Sequence, residues 1–132
     1  MLFVPGQIPG SEITTYPVLA AGATCTAGAA NTYGAAVELA AAGVVTVPKR
    51  VVSVCIRTPS AAQTGKIQIV HTTAGPVNVA ELDYEIASDA GGFLNIPVLG
   101  SLVIPAGVNV GARIKTTAGA QTVDVSVGLQ NA

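Results

Sequence analysis

Apolar and polar residues alternate most clearly in the last third of the chain. Single polar or small residues separate four apolar ones near its end: Val123, Val125, Val127 and Leu129. The same alternation runs from Val108 to Ile114. A period of two is typical of a strand with one buried face. The polar stretch between the two segments contains Gly119, which favours a turn, so the pattern predicts a β-hairpin.

Earlier segments show the same period. Alternating apolar residues surround Val54 and Ile67, and a third set runs from Leu82 to Ile86. The phase of this third set changes near Ala80, and a slip of one residue predicts a β-bulge. The sequence Pro-Ala-Gly at 105–107 is typical of a turn, so another strand, Leu102 to Ile104, is expected to end there.

The first third is less regular. Ile13 to Leu19 has the pattern of a strand, which Pro17 would confine to an edge or a bulge. Tyr33 to Gly43 is rich in Ala and has helix-forming propensity, with Asn31 as a candidate cap. The strands around it favour a strand there instead, with Val37 and Leu39 facing inward. We predict a strand, and the helix stays open as the alternative.

About eight strands at close, regular spacing are typical of a sandwich or barrel. We therefore predict an all-β, single-domain β-sandwich, a jelly roll of about eight strands, over residues 12–132. Residues 1–11 are predicted to form an extended N-terminal arm, because Pro5, Gly6, Pro9 and Gly10 exclude a helix and disfavour a central strand.

The arm carries four large apolar side chains: Leu2, Phe3, Val4 and Ile8. Each would cost about 1.5–3 kcal/mol if left in water. They are expected to pack either against their own domain or against another subunit, and the pattern leaves both open. We take these four as the candidate partner-binding residues.

The composition of the chain excludes several classes of function. Half of the residues are hydrophobic, only 10% are charged, and the net charge is −1. So few charges suit a surface that is largely covered by neighbouring proteins. No uncharged apolar run reaches the roughly 18 residues of a membrane helix, and six scattered Lys and Arg do not make a nucleic-acid footprint. The first residues lack a basic region, so we expect no signal peptide.

The sequence contains few residues that are candidates for catalysis or metal binding. Glu81, Asp83 and Glu85 share one face of a strand and are expected to be solvated, although carboxylates could also contribute to a Ca²⁺ site. His71 is the single histidine and is expected in a loop without a catalytic role. We assign no catalytic, cofactor-binding or metal-binding residue, and expect a protein that is not an enzyme.

Cys25 and Cys55 form no CxxC motif. We expect both to be reduced and buried, while one disulfide between them stays open.

Two blocks of the sequence resemble small structural proteins of tailed bacteriophages. The first is the Asn-Thr-x-Gly-Ala stretch that contains Asn31, Thr32, Gly34 and Ala35. The second is the Ile-Pro-Ala-Gly segment at 104–107, followed by Arg113 and Ile114 and by a terminal Val-x-Val-x-Val strand. The resemblance covers about half of the chain and implies a jelly-roll or sandwich protein of a phage head.

What the resemblance implies in detail is a capsid decoration, or cement, protein. Such a protein would bind the major capsid protein on the virion surface, act as a homo-oligomer, typically a trimer, and be made in the host cytoplasm. No nucleic acid, membrane, small-molecule substrate or cofactor is implied. A tail, collar or fibre component is the first alternative. The second is a carbohydrate-binding sandwich module for host attachment, which predicts exposed tyrosines among Tyr16, Tyr33 and Tyr84 beside acidic residues.

Overall fold

The computed structural model describes residues 12–18, 22–72, 75–87 and 92–132, and these residues form strands and loops. Within this part of the chain no helix is long and apolar enough to cross a membrane. Nine strands follow one another along it: β1 Thr14–Tyr16, β2 Ala23–Thr26, β3 Val37–Ala40, β4 Lys49–Arg57, β5 Gln63–Thr72, β6 Pro76–Ile86, β7 Phe93–Pro97, β8 Asn109–Thr116 and β9 Thr122–Asn131.

The strands form two antiparallel sheets. In the first sheet β9 lies between β4 and an edge that β1 and β2 share, and β7 forms the other edge beside β4. The second sheet has the order β3-β8-β5-β6. The pairs β2–β9, β3–β8, β4–β7 and β5–β6 are therefore all antiparallel neighbours. This nesting is that of a jelly roll, so the predicted all-β sandwich is confirmed.

The core lies between the two sheets. β9 contributes the four residues whose alternation is clearest in the sequence, and all four are fully buried: Val123, Val125, Val127 and Leu129. Ile67, Ile69 and Ile114 face them from the second sheet and are equally buried. The period-2 pattern thus identified the inward face of these strands correctly.

Two bulges adjust the faces of the long strands. Ile69 pairs with Ala80 and Val70 with Asn78, so Val79 is an additional residue in β6, which confirms the predicted bulge. A second bulge was not predicted. In β4 the pairing with β9 shifts between Val51 and Ser53. This shift lets Val51 and Val54, three positions apart, both be buried.

The predicted hairpin at the end of the chain is wrong. β8 pairs with β3 and β5 in the second sheet, whereas β9 pairs with β1, β2 and β4 in the first. Residues 117–121 therefore connect the two sheets rather than two neighbouring strands. The predicted strand at Leu102 to Ile104 is reduced to a single bridge between Ile104 and Lys49.

The ambiguous segment from Tyr33 to Gly43 contains a strand, as predicted, but only over Val37–Ala40. Pairing of these residues with β8 satisfies their backbone groups, so the local helix propensity is overridden. β2 had no clear sequence pattern and was not predicted. The proposed arm, residues 1–11 with Leu2, Phe3, Val4 and Ile8, lies outside the described residues.

Candidate interaction surfaces

The residues considered for chemistry are dispersed. No group of three or more His, Cys, Asp or Glu side chains that could hold a metal ion occurs within the described part of the chain. Asp83 and Glu81 instead contact Lys66, at 3.0 and 3.6 Å from its Nζ. His71 is buried within β5, not in a loop as predicted, because β5 extends to Thr72. Its Nδ1 has no hydrogen-bond partner.

Both cysteines are free thiols. Cys25 is fully buried, as predicted. The prediction of burial is wrong for Cys55, which is half-exposed, because it alternates with the inward-facing Val54 and Ile56 and so lies on the outer face of the first sheet.

Exposed apolar side chains are concentrated at one end of the sandwich. The β3–β4 and β7–β8 connections meet at this end, next to the paired end of β5 and start of β6. Six of the nine exposed large hydrophobic residues found in the described ranges belong to these connections or to the first residues of β6: Val44, Val47, Val77, Leu99, Leu102 and Val103. We call this set the apolar end. Leu99, at 95% exposed, makes almost no contact within the chain.

Backbone hydrogen bonds fix the apolar end to the sandwich. The β7–β8 connection is held to the first sheet by a pair of hydrogen bonds between Ile104 and Lys49, at 2.7 and 2.9 Å. It also reaches the second sheet, where the Leu102 amide donates to the Val79 carbonyl at 3.2 Å. The apolar side chains are therefore presented by an anchored connection, which favours binding because little conformational entropy is lost.

A network of polar side chains covers the outer face of the second sheet. Gln68 lies between Arg113 on β8 and Glu81 on β6, its directly opposite neighbours. It accepts a hydrogen bond from Arg113 Nε at 2.7 Å and donates one to Glu81 Oε2 at 2.5 Å. The Tyr33 hydroxyl donates to the same carboxylate oxygen at 3.0 Å. Cross-strand pairs of this kind stabilise a sheet and fix the positions of the side chains.

The Tyr33 ring contacts two cations as well. Its centroid is 5.1 Å from the Arg113 guanidinium and 5.0 Å from Lys115 Nζ. Both distances are within the range of a cation–π interaction. The ring is half-buried, so part of it stays open to solvent. Tyr16 and Tyr84 are buried, which leaves Tyr33 as the one described tyrosine beside an acidic residue at the surface.

The electrostatics of the network follow from these bonds. Hydrogen bonds from Gln68 and Tyr33 hold the pKa of the Glu81 carboxyl below its usual value. Partial burial and the bond to Glu81 raise the pKa of the Tyr33 phenol. Asp83 raises the pKa of Lys66. At neutral pH Glu81 is therefore ionised, Tyr33 keeps its proton, and Lys66 is a cation.

The loop between β2 and β3 places Tyr33 over the sheet. Hydrogen bonds from the Asn31 amide to Thr116 and from the Gly34 amide to Ile114, at 2.8 and 3.0 Å, hold the loop along the edge of β8 on both sides of Tyr33. Asn31 has a positive φ of 58°, a conformation that Asn tolerates well. At Gly34 a side chain would collide with the backbone of Thr26. Within the Asn-Thr-x-Gly sequence, Asn31 suits the path of this loop and Gly34 is required by it.

A pocket of about 240 Å³ lies beside this network. We call it the lysine pocket, and its lining includes the polar residues Asn31, Thr64, Lys66, Asp83, Lys115 and Thr117. It lies where β5 begins and β8 ends, which is the end of the sandwich opposite the apolar end. Lys115 is shared between the pocket and the Tyr33 ring.

The outer face of the first sheet is flatter and carries little charge. A shallow groove of about 150 Å³ runs across it, lined mainly by small polar side chains around Ser53, Cys55, Asn95 and Ser126. Its main charged group, Arg57, lies 5.3 Å from the centre of the Phe93 ring. Phe93 is 60% exposed and belongs to the end opposite the apolar end.

The sequence patterns predicted neither the apolar end nor the polar network around Tyr33. The residues of the apolar end come from two separate connections and from the start of β6, and single exposed valines and leucines carry no signal in a sequence that is half hydrophobic. The polar network joins Tyr33 to Glu81, 48 positions further on. The charges on alternate positions of β6 and β8 were the signal available, because they identify the outward face of each strand.

The sequence matches no protein-family model and no curated protein. Among solved structures, a carbohydrate-binding module from the lichenase 5A of Cellvibrio mixtus, in complex with cellotriose, aligns with a TM-score of 0.39 and 18% identity over 96% of this chain and 91% of that one. A chain of the infectious bursal disease virus Gx strain aligns with a TM-score of 0.34 and 11% identity over 92% of this chain and 30% of that one. Both TM-scores are low, so function has to be argued from the surfaces of this chain.

Proposed function

We propose that this protein is a virion structural protein, a decoration or cement protein that binds the outer shell of a phage head through its apolar end. The observation that carries this function is the concentration of exposed Val and Leu side chains on anchored connections at that end. Burial of a side chain such as Leu99 against a partner contributes about 1.5–3 kcal/mol. Exposed apolar side chains that lie together at one end of a domain commonly mark a protein–protein interaction site.

Composition supports a partner that covers much of the surface. Only 10% of the residues are charged, and those of the second sheet largely pair with one another. The proposed partner is the major capsid protein, with the chain acting as a homo-oligomer, a trimer on the virion surface. Attachment through several copies multiplies weak contacts without requiring a tight individual site. In this role the protein needs no cofactor and carries out no reaction.

The test is binding of the purified protein to shells of the virus that encodes it, stripped of this protein, followed by co-sedimentation. Leu99→Ser and Leu102→Ser remove apolar surface that is 95% and 62% exposed, so folding should be unaffected. We expect each change to weaken shell binding about tenfold or more, because roughly 1.4 kcal/mol of lost burial corresponds to a factor of ten. Light scattering of the purified protein without shells should give the mass of three chains.

Phe93→Ser is the matched control, since it removes a similarly exposed apolar side chain from the opposite end. It should bind shells as the unmodified protein does. Equal binding by the Leu99, Leu102 and Phe93 variants would contradict docking through the apolar end.

A tail, collar or fibre component is the second candidate, because the same apolar end could join a ring or spike. Electron microscopy of virions with labelled protein separates the two. Label distributed over the head supports decoration, and label confined to the tail or collar supports the alternative.

A further inference from the structure

We propose that the lysine pocket binds one sugar ring of a neutral oligosaccharide, with Tyr33 contacting the next part of the ligand. This site is distant from the apolar end and does not depend on the function proposed above. A protein attached to a particle by its apolar end would present this pocket at its opposite end. Sugar binding and shell binding therefore use different surfaces and can occur together.

The side chains of the pocket match the hydroxyl groups of a sugar. Lys66 and Lys115 offer ammonium donors, and Asp83 offers carboxylate acceptors. The side-chain amide of Asn31 offers both a donor and an acceptor. The hydroxyls of Thr64 and Thr117 can donate or accept. A ring that carries hydroxyls on most of its carbons requires such a mixture of donors and acceptors, whereas a purely anionic ligand requires donors alone.

The charge balance of the pocket favours a neutral ligand. Lys66 is already within 3.0 Å of Asp83 and 3.6 Å of Glu81, so its charge is compensated. Lys115 contacts the Tyr33 ring, and within the described residues no carboxylate lies at ion-pair distance from it. A phosphate or sulfate would meet one uncompensated cation and the nearby carboxylates of Asp83 and Glu81, which oppose an anion.

Tyr33 supplies an aromatic surface near the pocket, because Lys115 lines the pocket and its Nζ lies 5.0 Å from the centre of the Tyr33 ring. Its hydroxyl is held by Glu81 and its ring by Arg113 and Lys115, so its position is fixed before a ligand arrives. An aromatic ring with one polar end is suited to a ligand that has both apolar C–H faces and hydroxyls. The open part of the Tyr33 ring can therefore contact a second sugar unit that extends from the pocket.

The pocket is also preorganised. The backbone N–H of Asn31 donates to the Thr116 carbonyl at 2.8 Å, and the backbone N–H of Thr117 donates to the Thr64 carbonyl at 3.1 Å. Fixed backbone positions reduce the entropy lost on binding. At about 240 Å³ the pocket is smaller than the roughly 300–1,000 Å³ typical of drug-sized ligands, which suits a single sugar ring. A ligand of that size binds with a dissociation constant of about a millimolar.

The test is a titration of the ¹⁵N-labelled full chain, followed by NMR, with glucose, galactose, mannose and N-acetylglucosamine as separate probes. We expect at least one sugar to shift the amide signals of Asn31, Lys66, Lys115 and Thr117 in a saturable way. Asn31→Gly keeps the positive φ but removes the amide side chain. Lys115→Met keeps the apolar stem but removes the charge. Each should weaken binding about tenfold.

Two controls make the outcome decisive. Lys49→Met removes a lysine at the opposite end and should bind sugar as the unmodified protein does. Inorganic sulfate tests the pocket as an anion site. The proposal is overturned if none of the four sugars gives saturable shifts, if sulfate gives the same shifts and competes with the sugar, or if the Asn31 and Lys115 variants bind sugar normally. Each of these results leaves the shell-binding test unaffected.

Discussion

The two cysteines illustrate how the orientation of one residue within a strand decides its chemistry. Cys25 faces the core from β2, and its Sγ lies 3.6 Å from the Ala112 carbonyl of the opposite sheet. Burial, together with the charge of Asp124, raises the pKa of the Cys25 thiol to about 12. Cys55 faces outward and is half-exposed. Since the thiolate is the reactive form, the two residues should differ strongly in reactivity.

We expect a thiol reagent at neutral pH to label Cys55 in the native protein and to leave Cys25 unmodified. The raised pKa alone lowers the thiolate fraction of Cys25 about a thousandfold relative to its ordinary value of 9.0. Mass spectrometry after brief labelling measures the number of modified thiols. Cys55→Ser should show no rapid labelling, and urea should expose both thiols of the unmodified protein. Two thiols labelled at the same rate in the native protein would contradict the assignment.

The polar network depends on the loop between β2 and β3, which carries Tyr33. It lies against β8 through the amides of Asn31 and Gly34, and it also contacts the β8–β9 connection, where the Ala120 amide donates to the Gly28 carbonyl at 2.8 Å. Gly34 is required because any side chain would meet the Thr26 backbone, which cannot move without disturbing β2. A change at this position should therefore affect the loop and the strand together.

Gly34→Ala is expected to lower the free energy of unfolding by about 1–3 kcal/mol, the usual cost of inserting a group into occupied space. Urea unfolding followed by circular dichroism measures this change. Gly43→Ala is the matched control, because a side chain there would meet nothing within 4 Å. Its free energy of unfolding should stay within about 0.5 kcal/mol of the unmodified protein. Equal stability of the two variants would show that the loop can move away from β2.

At the scale of the molecule, apolar and polar surfaces separate to opposite ends of the sandwich. The apolar end includes Leu99 and Leu102, while the lysine pocket and Tyr33 lie towards the other end. β1 begins at Thr14, which pairs with Leu129 near the apolar end. The start of β1 is therefore close to the surface that we propose binds the shell.

Deletion of residues 1–11 should leave the sandwich folded and weaken its assembly. The described strands begin at Thr14, so the free energy of unfolding measured in urea should change little. Loss of Leu2, Phe3, Val4 and Ile8 should reduce co-sedimentation with shells about tenfold or more, as expected when large apolar contacts are lost. A variant with the four residues changed to Ser tests whether side chains or length matter. Unchanged shell binding by both variants would exclude a role for the arm.

Local sequence patterns predict which face of a strongly alternating strand is buried. The alternation of Val123, Val125, Val127 and Leu129 is encoded within a few neighbouring residues, and a strand that buries one face must obey it. The same local information identified the bulge in β6, whereas the strand at Val37–Ala40 was predicted from the surrounding strands and against its local helix propensity. The low charge content likewise needed no structure to be recognised.

The choice of pairing partners among the strands, in contrast, depends on the packing of the whole chain. β8 and β9 have the pattern of a hairpin, yet they lie in different sheets, and their apolar faces are buried in the core between the two sheets. Pairing joins residues that are far apart in sequence, as Thr24 with Asp124, and no local pattern specifies such a contact. The apolar end and the lysine pocket are products of this pairing, which gathers residues from separate connections and strands. The sequence therefore specifies which side chains these two surfaces contain, but the positions of the surfaces follow from the packing of two sheets around one core.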